Sequence, residues 1–192
     1  MWRTLAVAVA LSTLQGSAPA PPVVVVFETT KGAIEIEVDV AHAPVTSANF
    51  LRYVDAGAYT GGEFHRAVRP DTETRKDVPI EVIQARKAAG SQGFAAIPLE
   101  RTSATGLKHL EGTLSMARST APDSATNEFF ICIGSQPLLD FGGARNADGQ
   151  GFAAFGRVVK GMDVVKAIQQ APVAPRSQTL APTIAIIKAA RK

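Results

Sequence analysis

Cysteine is almost absent from the chain. Cys132 stands alone among 192 residues, so no disulfide can close within the chain whatever the redox compartment. Its neighbours Phe129, Phe130, Ile131 and Ile133 are apolar, which predicts a buried, unreactive thiol. Histidine is sparse too: His42, His65 and His109 lie far apart, with no i, i+4 pair to seat a metal on one helix face. His42 and His109 are expected at the surface, and His65 as a hydrogen-bonded structural residue. No run of five or more basic residues occurs and the formal net charge is only +3, which argues against a nucleic-acid partner. A Gly-x-Ser-x-Gly elbow, a phosphate-binding glycine loop and a dinucleotide fingerprint are all missing, and nothing local supports a zinc site, although one assembled in space stays open to the sequence. The apolar stretch Leu5 to Leu14 is too short to span roughly 30 Å of hydrocarbon as a helix.

That short stretch follows Arg3 and precedes Ala18-Pro19-Ala20, the order of a secretory signal peptide with a small-residue cleavage site. Residues 1–20 are therefore expected to direct export to the periplasm or beyond and then to be removed. Their loss takes away one Arg and no acid, lowering the formal charge from +3 to +2. Residues 21–192 suit one globular domain: the chain is 46% hydrophobic, enough for a full-sized core. Nothing suggests an obligate assembly, and a monomer is expected.

Two strands open this domain, Val23 to Glu28 and Ala33 to Asp39, joined by Thr29-Thr30-Lys31-Gly32. In the second, Ile34, Ile36 and Val38 alternate with Glu35, Glu37 and Asp39, the pattern of a half-buried strand. A helix follows from Pro44, with Val45, Ala48, Phe50, Leu51 and Val54 at helical spacing and Gly57 as its stop. Short strands then dominate: Glu63 to Val68, Pro79 to Gln84, Thr113 to Ala117, Glu128 to Ile133, Phe152 to Val159 and Thr183 to Ala189. A second helix is expected from Asp163 to Gln170. Many short strands with glycine- and proline-rich turns argue for an all-β barrel or sandwich. Arg69 to Val78 is polar and irregular. Phe141 to Gly151 carries Asn146 and Asp148 but lacks the spacing and terminal Glu of a calcium loop, and reads as a surface loop.

Four segments in order carry the functional signal: Phe64-His65-Arg66, Gly112-Thr113-Leu114-Ser115-Met116-Ala117-Arg118, Glu128-Phe129-Phe130-Ile131-Cys132-Ile133 and Phe155-Gly156-Arg157-Val158. Together they resemble a cyclophilin, a peptidyl-prolyl cis-trans isomerase, closest to the exported bacterial branch. The resemblance implies a closed eight-stranded antiparallel barrel capped by two α-helices. It implies catalysis without nucleophile, metal or cofactor, on proline-containing peptides and on unfolded or folding proteins.

Residue by residue, the resemblance makes Arg66 the catalytic donor, Gln84 its partner or a ligand of the carbonyl before the proline, and Phe130 the aromatic floor. It makes Val82, Ala117, Arg118, Glu128, Leu139 and Phe152 substrate-binding. Strand periodicity puts Phe64 and Arg66 on one face with His65 opposite, Val82 with Gln84 on one face, and Phe129 and Phe130 on opposite faces. Several positions depart from the family pattern. Glu81 replaces a Phe, Val82 a Met, Ala85-Arg86 a Gly-Gly, Arg118 an Asn and Glu128 a Gln, and Arg69 to Val78 lengthens a short link. Arg118 and Glu128 are placed to pair across the groove. Leu138 stands where cyclosporin-sensitive members carry Trp, which implies weak inhibition by cyclosporin. A non-catalytic proline-peptide-binding chaperone module that keeps the barrel is the alternative reading.

Overall fold

The structure, a computed structural model, describes residues 22–192. The expected targeting segment over residues 1–20 lies outside them. β1 (Val23–Thr29) and β2 (Gly32–Val38) form a hairpin. Gly32 at its turn has φ +129°, and a Cβ there would sit 2.8 Å from the side chain of Val164, so only glycine fits. α1 (Pro44–Asp55) starts at Pro44 as the sequence predicts. Its first turn has no capping side chain of its own. Glu100, from a distant loop, accepts the N–H groups of Val45 and Thr46 at 3.1 and 2.7 Å, placing an acid at the positive helix end.

β3 (Glu63–Val68) leads into the Arg69–Val78 segment and then β4 (Val82–Arg86). β4 starts later than the expected Pro79, because Pro79 has no N–H to give and the Ile80 N–H is spent on the Glu73 carboxylate. The long connection that follows holds a one-turn helix, α2 (Thr102–Thr105), which the sequence pattern does not reveal. β5 (Thr113–Met116), β6 (Phe129–Cys132), a single 3-10 turn (Pro137–Leu139), β7 (Ala153–Lys160), α3 (Met162–Gln169) and β8 (Thr179–Arg191) complete the chain. All strand pairs are antiparallel, and the sheet closes in the order β1-β2-β7-β5-β6-β4-β3-β8.

The expected eight-stranded barrel is therefore the observed one, with α1 and α3 as the two expected capping helices and, among the described residues, the one-turn α2 as a third helix. α1 leaves the Val38 end of β2, whereas Val164 of α3 packs on Gly32 at the other, so these two helices close opposite ends. Inside, Phe27, Phe50, Tyr59, Phe129 and Phe155 form an aromatic nucleus, with Phe50 edge-on to Phe129 at 5.4 Å. Outside, a second apolar cluster gathers Val68, Ile80, Val82, Phe130, Cys132 and Leu139. Strand alternation divides the two: Phe129 and Ile131 point in, Phe130 and Cys132 out. Cys132 is fully buried, and burial pushes its thiol far above the ordinary range, as its apolar neighbours predict.

Candidate active site

The outer apolar cluster forms the base of a slot of about 130 Å³. Its register comes from a bulge in β3. Phe64 pairs with Ala85 and Arg66 with Gln84, so His65 and Arg66 together oppose a single residue of β4. Uninterrupted alternation would put Phe64 and Arg66 on the same face, and the structure corrects that expectation. The extra residue leaves Phe64 in the barrel interior and turns Arg66 outward, in step with Val68. Next along the sheet, Gln84 pairs with Phe130 on β6. Arg66, Gln84 and Phe130 are thus one cross-strand row on the outer face.

Hydrogen bonds fix the head groups in that row. Arg66 donates from Nη1 to Gln84 Oε1 at 2.9 Å, and from Nε and Nη2 to Gln178 Oε1 at 2.9 and 2.6 Å. Gln84 Nε2 donates to Glu128 Oε2 at 2.6 Å. Because a carboxylate only accepts and a guanidinium only donates, the Gln84 amide has one permitted orientation between them. Glu128 in place of the family's Gln makes that orientation unambiguous. Burial pulls the Arg66 pKa below its ordinary value, and the positive charge of Arg145 adds to the shift.

The apolar part of the slot is made by Phe130, Leu139, Val82 and Ile80, all buried. Phe152 stands edge-on to Phe130, with ring centroids 5.4 Å apart. It is set there by a close backbone approach: Gly151 has φ +67°, and a Cβ on it would lie 2.6 Å from the Asp140 backbone. The Phe152 N–H donates to the Leu139 carbonyl at 2.9 Å. Ala117 and Arg118 form another edge, and the Arg118 guanidinium lies 5.4 Å from the Phe152 ring centroid.

Eight of the nine sequence-derived site residues line this slot: Arg66, Gln84, Phe130, Val82, Ala117, Arg118, Leu139 and Phe152. Glu128 does not; it supports Gln84 and borders a separate hollow beside Glu63 and Arg86. Nor does Glu128 pair with Arg118, whose Nη2 instead binds both carboxylate oxygens of Asp148 at 2.8 and 2.9 Å while Nε donates to Gly151 O. Asp148 is near enough to form a two-point bond, and this removes the cross-groove pair. Among the described residues, no group of three or more His, Cys, Asp or Glu is positioned to hold a metal ion.

Four functional neighbours escape sequence reasoning. Gln178, just before β8, holds Arg66. Arg145 reaches the slot from the Phe141–Gly151 segment, so that segment is not a plain surface loop. Glu73, in the Arg69–Val78 segment, is buried and bonds Arg145 Nη1 at 2.9 Å, which ties that segment to the slot wall. His109 is 1% exposed rather than at the surface. Its Nδ1 lies 2.7 Å from Asp140 Oδ1, its Nε2 lies 2.9 Å from Ser115 Oγ, and its ring stacks on Phe130 at 6.0 Å. Its partners draw it inward, Asp140 from the end of the 3-10 turn, Ser115 from β5 and Phe130 from β6, and none is adjacent in sequence. His42 is exposed as expected, beside Asp39. His65 has no hydrogen-bond partner on Nδ1, contrary to expectation, and its Nε2 approaches Glu128 only to 3.8 Å.

Known proteins agree with this architecture. The family described as "Cyclophilin type peptidyl-prolyl cis-trans isomerase/CLD" matches residues 24–191. Peptidyl-prolyl cis-trans isomerase A of Dickeya dadantii is 37% identical over 148 residues, covering 76% of this chain and 70% of that protein. Peptidyl-prolyl cis-trans isomerase B of Escherichia coli is 37% identical over 145 residues, covering 76% and 83%. A Cryptosporidium parvum cyclophilin-type isomerase superposes with a TM-score of 0.71 at 21% identity, over 90% of this chain and 98% of that one. A second structure of that protein, determined in the presence of the dipeptide Ala-Pro, superposes with a TM-score of 0.65. With the barrel, the cross-strand row and these relatives in agreement, the chain belongs to the cyclophilin-type peptidyl-prolyl cis-trans isomerase family.

Proposed function

We propose that the slot accelerates rotation about X-Pro peptide bonds in loosely folded proteins, with Arg66 as the catalytic donor. Rotation is slow because amide resonance must be broken, against a barrier of about 18–20 kcal/mol. At the top of the barrier the C–N bond is single and the proline nitrogen has regained a lone pair. A donor placed against that nitrogen stabilises the twisted state alone, and such differential binding is what raises the rate. Arg66 can serve at any physiological pH, since burial lowers its pKa from a very high starting value.

One observation carries the reading. The Arg66 guanidinium, held by two amides, borders the same concavity as the buried rings and branched chains of Phe130, Leu139 and Val82. The apolar base suits a proline ring, and Phe130 and Phe152 would hold it while the preceding carbonyl turns. Gln84 fixes Arg66, and the Ala117–Arg118 edge of the slot, whose Ala117 N–H is tied to the Glu128 carbonyl, would run beside a bound peptide. The Cryptosporidium relative crystallised with Ala-Pro supports proline as the recognised residue. The slot lies on the outer face of the barrel, so it reaches prolines in accessible chain segments. This locked donor favours an enzyme over a passive peptide-binding module.

A charged hydrogen bond in a sheltered site contributes about 1.5–3 kcal/mol, so Arg66→Ala should lower kcat/KM about ten- to a hundredfold in a protease-coupled proline-peptide assay. Peptide binding, followed by amide shifts, should persist. Undiminished turnover in the variant would remove Arg66 from the mechanism; absence of turnover in both proteins would leave the binding module. We place the working protein outside the cytoplasm, on the signal-like residues 1–20. A mature chain beginning at Pro21 in the exported fraction of the native host supports this, and a cytoplasmic chain retaining Met1 refutes it.

A further inference from the structure

Three guanidinium groups border the slot, from Arg66, Arg118 and Arg145, and no carboxylate does. Arg118 is fully engaged by Asp148, Gly151 O, Ser119 O and Thr120 O. Arg145 is not. Its Nη1 donates to Glu73 Oε2 at 2.9 Å and to the Val78 carbonyl at 2.7 Å, and its Nε and Nη2 meet no acceptor among the described residues. These remaining donors belong to a side chain only 10% exposed, on a residue that borders the slot. The placement is firm: Glu73 is 1% exposed at its side chain, the Arg145 carbonyl accepts Arg75 Nη1 at 2.6 Å, and the Arg145 N–H donates to Leu138 O at 3.1 Å. The arginine's charge is felt at the catalytic end, since it helps to lower the Arg66 pKa.

A buried guanidinium pinned at one nitrogen, with two nitrogens uncommitted on a residue that borders a peptide site, can receive a two-oxygen acceptor. We propose that Arg145 makes this slot select substrates with an acidic side chain next to the proline, the carboxylate bonding the Nε and Nη2 edge. This rests on the slot being a prolyl isomerase site. Arg66 does not offer the same edge, because Gln178 occupies its Nε and Nη2 and Gln84 one hydrogen of its Nη1, and the Nη hydrogens that remain are the ones left to serve the proline nitrogen. The Arg69–Val78 segment thereby has a role: its Glu73 holds the specificity residue in place.

The test compares peptides differing only in Glu or Gln immediately before, or immediately after, the proline. Wild-type kcat/KM should be roughly fivefold higher for one Glu peptide than for its Gln twin, with the ratio shrinking as salt rises. Arg145→Ala would strand the buried Glu73, so the informative variant is Glu73→Gln with Arg145→Met, which removes both charges together. Its Glu-to-Gln ratio should fall to about one. Reading the ratio within each protein cancels any general loss of activity. A wild type that turns over Glu and Gln peptides equally overturns the proposal and leaves the isomerase intact. So does a double variant that keeps the preference. If no peptide is turned over, the isomerase reading fails, and the Glu-to-Gln ratio of dissociation constants by calorimetry still decides for or against Arg145.

Discussion

Arg66 points at the slot because two neutral amides hold it, with no acid in direct contact. A free arginine side chain has up to about 2 kcal/mol of rotamer entropy to lose, and Gln178 removes much of that freedom before substrate arrives. Gln178 is itself oriented, its Nε2 donating to the Thr72 carbonyl at 3.1 Å. Gln178→Leu should therefore lower kcat about three- to tenfold, the loss of about 1 kcal/mol of positioning, with KM and melting temperature nearly unchanged. A wild-type kcat in steady-state assays would show Gln84 alone to be sufficient. Nothing local marks Gln178 in the sequence, since it lies 112 residues from Arg66 and meets it only through barrel closure. Phe130, by contrast, is legible as an outward partner to inward Phe129, because strand alternation needs no distant information.

The elements read most clearly from the sequence are those whose own pattern is complete. β2 declares itself by alternation, and α1 by Pro44 and Gly57 at its ends. β3 misleads because a bulge has no signature in Phe64-His65-Arg66; the extra residue is visible only in its pairing with β4. The Arg69–Val78 segment looks like a polar insertion because its central acid is charged, yet that acid is buried against an arginine contributed from far along the chain. Burial alone would raise the Glu73 carboxyl, but the Arg75 N–H, the Arg145 guanidinium and the Ile80 N–H together hold it below the usual carboxylate range. Removing one partner of such a pair strands the other, at a cost of about 3 kcal/mol. Glu73→Ala is thus expected to lower the urea midpoint of unfolding, and Glu73→Ala with Arg145→Leu to recover part of the loss. Equal midpoints for wild type and Glu73→Ala would mean the segment is not anchored by this pair.

Closure of the sheet is a property of the whole molecule, and here the sequence pattern reaches its limit. Short strands fit a sandwich as well as a barrel, and only the family resemblance chose between them. Closure also gathers titratable groups whose protonation acts in one direction. Glu73 and Asp140 have folded pKa values below the ordinary range: burial would raise both, but the Arg75 N–H and Arg145 outweigh it for Glu73, and His109 does so for Asp140. His65 is also depressed, chiefly by burial and despite Glu128 nearby. In each case the unfolded chain holds the proton more tightly, so folding gains stability above the unfolded pKa and loses it as pH falls through the folded one. The histidine contribution should begin to fade below about pH 6.5, and the carboxylate contributions below about pH 4. Urea midpoints measured across pH should therefore be level near neutrality, decline gently from about pH 6.5 and fall more steeply below about pH 4. His65→Gln should flatten the upper limb and leave the lower one. A midpoint that rises on acidification would contradict the sign common to all three groups, and an unchanged upper limb in His65→Gln would assign it to another residue.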